Sequence, residues 1–270
     1  MAEKMTVLYD ASKCTGCQAC SVACKQWNEL PGEKSSLITS YQSRDTFTPK
    51  TWTFMSFKET YENKKNEWLF RKQQCMHCTD AACEKACNYN AISHTDKGFV
   101  VIDHDKCIGC GYCAANCTFN IPRVDKTVNK SMKCTGCVDR VGKGLKPACI
   151  TTCQPNALVF GERKAVLAVA LERVSKLKET YPKANLYGAT ELNGLNYSYV
   201  LLREPEFYGL PANPSVPISI GLWKMFVRPG GGLAIAGALG MVGLATFMNY
   251  RGGSKDHHDK DGHGKGGHHV

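Results

Sequence analysis

Short runs of alternating apolar and polar residues fill the first two thirds of the chain, and the period lengthens after residue 153. Thr51-Trp52-Thr53-Phe54-Met55-Ser56-Phe57 and Trp68-Leu69-Phe70-Arg71 read as two strands, with Trp52, Phe54 and Phe57 as core candidates and Lys64 and Lys65 in the polar turn between them. Asn90-Ala91-Ile92, a Thr95-Asp96-Lys97-Gly98 turn and Phe99-Val100-Val101-Ile102-Asp103 predict a second hairpin. Farther on, Val166, Leu167, Ala170, Leu171, Val174 and Leu177 share one helical face, and Pro182 follows the end. Tyr197–Leu202 reads as a strand, and Pro211, Pro214 and Pro217 as a stiff linker. Pro229 to Tyr250 carries no charge across 22 positions between Arg228 and Arg251. As a helix it spans about 33 Å, the depth of a bilayer core. Trp223 and Tyr250 stand where interfacial aromatics belong. Gly232, Ala236 and Gly240 make a small-residue stripe that lets another helix approach closely. The tail from Gly252, with His257, His258, His263, His268 and His269, reads as solvated and disordered.

Between the strand-like pieces lie 16 cysteines, all from Cys14 to Cys153 and in four groups of four. The first is Cys14-x2-Cys17-x2-Cys20-x3-Cys24, and the third, Cys107-x2-Cys110-x2-Cys113-x3-Cys117, repeats its spacing. The second is Cys75-x2-Cys78-x4-Cys83-x3-Cys87, and the fourth Cys134-x2-Cys137-x11-Cys149-x3-Cys153. A disulfide framework would need an oxidising compartment, and residues 1–13 contain no apolar core of a signal peptide. Structural zinc takes two separated Cys-x2-Cys pairs, whereas the first and third groups crowd three thiols into seven residues. The remaining reading is the [4Fe–4S] cluster: three close thiolates wrap one cube, and the fourth, on an outgoing helix, ligates the other cube of a pair. Four groups then make four clusters in two two-cluster modules. Proline commonly follows the fourth cysteine of such runs. Here Lys25, Asn88, Thr118 and Gln154 stand there, which puts the rigidity of the turn in doubt but removes no ligand.

The formal net charge is +10. Each oxidised cluster with its four thiolates contributes about −2. Four sites therefore bring the total to about +2, and most of the basic excess becomes internal compensation. A nucleic-acid role loses its main support, and no nucleic-acid motif is present. No residue stands out as a substrate acid, base or nucleophile, so no independent catalysis is expected. His77 lies inside a cluster loop, beside a cluster or at the surface, and His94 and His104 read as structural.

Several stretches carry a resemblance: Lys50-Thr51-Trp52-Thr53, Trp68-Leu69-Phe70-Arg71-Lys72, Cys75-Met76-His77-Cys78, Cys107-Ile108-Gly109-Cys110-Gly111-Tyr112-Cys113, Cys137-Val138-Asp139-Arg140-Val141 and Leu222-Trp223-Lys224. With the uncharged C-terminal stretch, they make the chain resemble, from about Tyr9 to Tyr250, the iron–sulfur (beta) subunit of membrane-bound formate dehydrogenases, within the molybdopterin-oxidoreductase electron-transfer family. The resemblance implies that groups one and four share one module and groups two and three an inserted one. Cluster A then takes Cys14, Cys17, Cys20 and Cys153, and cluster B Cys134, Cys137, Cys149 and Cys24. Cluster C takes Cys75, Cys78, Cys83 and Cys117, and cluster D Cys107, Cys110, Cys113 and Cys87.

The expected fold is α+β, with two ferredoxin-like two-cluster modules, one inserted in the other, and a single C-terminal transmembrane helix. The expected divisions are 1–71 with 129–160, the inserted 72–128, a helix and Pro-rich linker at 161–216, an anchor at 217–251 and the tail at 252–270. The implied partners are a molybdenum or tungsten pterin subunit that oxidises formate, a membrane b-type cytochrome leading to quinone, and the lipid bilayer. The basic residues flanking the span favour a cytoplasmic C-terminus and a cluster domain on the outer, periplasmic face. A domain so placed would cross folded, carried by a partner's twin-arginine signal. Two rivals remain: the equivalent subunit of a membrane hydrogenase or other respiratory oxidoreductase, and a zinc-stapled scaffold.

Overall fold

The computed structural model describes residues 3–38, 41–62, 65–222 and 240–248, and the chain divides after Ile220 into two units. The first unit opens with β1 (Met5–Asp10), buried along almost its whole length, which runs into the Cys14 loop and α1 (Ala19–Trp27). Next come β2 (Phe54–Glu62) and β3 (Lys65–Gln73), an antiparallel ribbon with Phe54 opposite Gln73. This ribbon outruns its sequence signal. Exposed Lys58 and Glu59 continue the ladder beyond the packed end, because an antiparallel pair satisfies its own backbone groups without burial.

The middle of the unit is built from short pieces. They are α2 (Ala82–Lys85), β4 (Ile92–His94), β5 (Val100–Ile102), α3 (Tyr112–Ala115), β6 (Arg123–Asp125), β7 (Lys130–Met132), α4 (Val138–Val141) and α5 (Ala148–Thr151). β4 and β5 form the expected hairpin, closed by a Gly98 N–H bond to the Thr95 carbonyl. A second hairpin, β6 with β7, joins the third cysteine group to the fourth.

β8 (Leu158–Glu162), α6 (Arg163–Leu177), β9 (Asn185–Tyr187) and β10 (Tyr197–Leu201) complete a sheet of order β8-β1-β10-β9. β1 lies parallel to β10, with Val7 opposite Tyr197, and antiparallel to β8, with Val7 opposite Phe160. Thus the stretch 161–216 supplies two of the four strands: Tyr197–Leu201, which the pattern marked as a strand, and Asn185–Tyr187, which it did not. On α6 the buried stripe is Val166, Ala170, Val174 and Leu177. Leu171, expected on that face, is exposed, because the stripe against the sheet is narrower than the apolar pattern. The Pro-rich stretch is tethered rather than free. Tyr187 Oη donates to the Pro211 carbonyl at 2.9 Å, Thr118 Oγ1 to the Ser215 carbonyl at 2.9 Å, and Val216 and Ile220 pack on Ala82 of α2 and Ala86 just past its end. The short helix α7 (Ile218–Leu222) follows.

In the second unit residues 240–248 are helical. Among the described residues no helix is long and apolar enough to cross a membrane. The span expected at 229–250 lies outside the described residues except for 240–248, and Trp223 and the histidine tail lie outside them entirely.

Candidate metal centres

Strand pairing decides which cysteine groups meet. β1 delivers the chain into group one and β8 leaves group four, so their antiparallel pairing brings Cys14 and Cys153 to the same end of the sheet. α1, which carries Cys20 and Cys24, packs on α5, which carries Cys149. In the same way α2, with Cys83, packs on α3, with Cys113.

Four sets of thiols result. Cys14, Cys17, Cys20 and Cys153 line one cavity with Tyr9, Met55, Lys72 and Leu158. Cys24 lies within electrostatic reach of Cys149 and Cys137, and Cys134 within that of Cys24 and Cys137. Cys75, Cys117 and Cys83 surround Cys78. Cys107 and Cys110 neighbour Cys113, and Cys87 packs into the small core that holds Cys113. Neighbours also cross between sets: Cys20 with Cys149, Cys134 with Cys75, and Cys83 with Cys113. Thiols of successive cysteine groupings are thus near one another, from Cys20 through Cys149, Cys134, Cys75 and Cys83 to Cys113. Cys17 in the first set and Cys110 in the last are the exposed thiols.

The loops turn backbone N–H groups onto sulfur. Gly16 donates to Cys14 Sγ, Gly136 to Cys134 Sγ and Ser131 to Cys107 Sγ, each at 3.4 Å. Ala91 donates to Cys87 Sγ at 3.3 Å and Ile121 to Cys117 Sγ at 3.5 Å. Gly109 has φ +70°, and a Cβ there would strike the Asn129 carbonyl, so this loop requires glycine. The turns that follow the helices share a different device. Three residues past the fourth cysteine of groups two, three and four stand Asn90, Asn120 and Asn156, all left-handed at φ 50–52°. Asparagine is the side chain that tolerates this region best after glycine.

Burial dominates the thiol chemistry. It pushes Cys24 up to about 12, with Lys72 opposing and Cys149, Cys137 and Cys20 adding to the rise. It pushes Cys20, Cys117 and Cys137 up to about 11, and raises Cys78, Cys83 and Cys134 as well. Metal-free, these thiols hold their protons, so iron must displace protons to bind, and the anionic sites it creates need cations nearby. Two buried lysines supply them. Lys72 counters the rise at Cys20, Cys24 and Cys134. Lys133, bonded to the Val100 and Cys134 carbonyls, counters it at Cys83 and Cys117. Among the described residues no three His, Cys, Asp or Glu side chains converge on a single ion. The donor set fits polynuclear clusters instead: all-thiol sets, each bordered by N–H donors to sulfur, with buried cations between them.

Two profiles described as 4Fe–4S dicluster domains match the chain, at residues 66–163 and 13–91. The nitrate-inducible formate dehydrogenase iron–sulfur subunit of Escherichia coli (strain K12) is 42% identical over 265 residues, covering 93% of this chain and 89% of that one. The chain belongs to the formate dehydrogenase iron–sulfur subunit family. The Haemophilus influenzae formate dehydrogenase iron–sulfur subunit is 41% identical over 93% of this chain and 83% of its own length. More distantly, the B subunit of the E. coli anaerobic dimethyl sulfoxide reductase is 35% identical over 56% of this chain and 70% of its own. This iron–sulfur subunit carries [4Fe–4S] clusters and transfers electrons rather than catalysing a reaction of its own.

The three described histidines make other contacts. His77 is buried against Phe99 and Tyr197, and its Nδ1 accepts the Val100 N–H at 3.0 Å. His94 bonds the Cys78 carbonyl and Glu84, and His104 the Ser131 carbonyl. Sequence reasoning missed Lys72, Lys133 and Ser131, whose Oγ lies 3.1 Å from Cys113 Sγ. Only the unusual burial of charge marks the lysines, and a strand reading of Arg71-Lys72 gives no sign of it.

Proposed function

We propose that this subunit holds four [4Fe–4S] clusters on the sixteen cysteines as sets A to D, and relays electrons from a formate-oxidising molybdenum or tungsten pterin subunit to a membrane b-type cytochrome and quinone. The observation that carries the reading is the unbroken succession of the four thiol sets across one unit, with an exposed thiol at each end. Bound clusters each accept and pass on one electron. The chain's own part is to space the thiolates, to aim backbone N–H groups at sulfur, and to bury lysines where negative charge accumulates. The dicluster matches support the cofactor, and the formate dehydrogenase subunits among the relatives support the fuel.

The proposed setting is a cell membrane, with a single C-terminal pass, the cluster domain on the outer face and the C-terminus in the cytoplasm. The uncharged stretch from Pro229 to Tyr250 and its basic flanks support that placement. A second reading keeps the clusters and places them in a membrane hydrogenase or other respiratory oxidoreductase, and the similarity to the dimethyl sulfoxide reductase subunit supports such a wider use of the same architecture. Anaerobic purification of the complex, with iron and sulfide analysis and dye reduction by formate against hydrogen, tests both. About 16 iron atoms per chain with formate-driven dye reduction supports the first reading. The same iron content with no formate response turns to the second. A zinc protein without sulfide ends both.

A further inference from the structure

Lys72 is 1% exposed and sits near the base of β3, where the ribbon meets the first two thiol sets. A buried ammonium without a counter-ion is among the costliest features a protein can hold. No carboxylate among the described residues is paired with it. Its Nζ donates to Gln74 Oε1 at 3.0 Å and stands 5.4 Å from the centre of the Tyr197 ring. Gln74 in turn donates to Tyr199 Oη, and Tyr199 Oη to the Lys72 carbonyl at 3.1 Å. This closed circuit of neutral groups fixes the ammonium without neutralising it.

The anions that Lys72 faces are thiols of both neighbouring sets. It lines the cavity of Cys14, Cys17, Cys20 and Cys153. It is also in electrostatic reach of Cys149 and Cys134 of the second set. Lys133 serves the third set instead, and the fourth has a hydroxyl, Ser131 Oγ, beside Cys113. One cation is thus shared between two sites, each of which becomes more negative by one charge on reduction.

We propose that Lys72 is a potential-setting residue whose ammonium, held between sets A and B, raises the reduction potentials of both of these clusters and leaves that of D unchanged. The proposal rests on the four-cluster assignment above. A fixed positive charge in a low-dielectric interior stabilises the reduced, more negative state of whichever cluster holds the electron. Being common to both, it moves the two potentials in the same direction, so that neither site is favoured at the expense of the other. The ribbon β2–β3 then has a role beyond cover: it is the strut that carries this charge into the interior.

The test is a redox titration of the reduced-cluster paramagnetic signals in the intact complex, comparing wild type with Lys72→Met and Lys72→Arg. The expected result is that two midpoints move to more negative potential in Lys72→Met, that the signal of the cluster lost in Cys110→Ser does not move, and that Lys72→Arg restores both. Equal movement of all four midpoints, no movement with all clusters loaded, or the same shift in Lys72→Arg would overturn the proposal. If Lys72→Met fails to load clusters, Gln74→Leu decides. It frees the ammonium from its fixed position and should move the same two midpoints by less; unmoved midpoints there also overturn it. Absence of any cluster signal in the wild type defeats the underlying cluster assignment instead.

Discussion

Around its first and last cysteine groups the chain builds a four-stranded sheet backed by α6, with Val7, Tyr199, Val200 and Leu201 wholly enclosed. Around the middle two it builds hairpins of three-residue strands and helices of four residues, over a core of Ala81, Ile92, Val100 and Cys113. The outer module could hold its shape by burying hydrocarbon. The inserted one has little core of its own: Met76 and Phe99 are buried in the sheet's core, and cysteine is part of what it buries elsewhere. Similar motifs thus have different apolar support, a broad core in one and a small cysteine-containing core in the other, where bound metal would contribute the larger share of the stability.

Stripping iron anaerobically with a chelator tests this difference most severely. In hydrogen exchange, the Val100 amide, which bonds His77, and the β6–β7 amides should lose protection first. The amides of β1 and β10, including Val7 bonded to the Asn196 carbonyl, should remain slow. Simultaneous loss in both regions would erase the distinction.

A cavity in the sheet comes next in size. Leu201→Ala, at a position with no exposure, should cost about 2–5 kcal/mol in denaturant unfolding of the outer module. The paramagnetic signals of sets C and D should be unchanged at low denaturant. Disturbance of those signals would mean that the inserted module leans on the sheet more than its own contacts suggest.

The smallest effect should be alike in both regions. Asn90 and Asn156 close corresponding turns, one in each module, at φ 50° and 51°. Replacing either with alanine should cost about 1 kcal/mol, and replacement with glycine close to nothing, read as midpoint shifts in thermal unfolding. Unequal penalties would show that the turns are not local devices.

Much of this was visible in the sequence because it is local. Cysteine spacing announced the cluster loops, and the Asn90–Asp103 pattern its hairpin, since both depend on residues a few positions apart. The α6 helix was legible too, except for Leu171, because period alone does not reveal the width of the surface it meets. The parallel pairing of β1 with β10 was not, because nothing within either strand names a partner about 190 residues away. Neither was the burial of Lys72, because a strand with a charged end reads as wet until the opposing charges are in view. The left-handed asparagines were not legible either, because a positive φ is a property of the finished turn and asparagine is only one of the residues that tolerate it.

The first strand is locked between two others that are translated much later. A nascent chain therefore displays Cys14 through Cys24 to the cytosol while their sheet has no flanking strands. The middle hairpins can close as soon as the ribosome has passed them. Folding would then run from the inside outward: the insert can close while its host remains open, and the cavity of Cys14 gains its last lining residues, Cys153, Pro155, Ala157 and Leu158, only once the fourth cysteine group and the strand after it have been made.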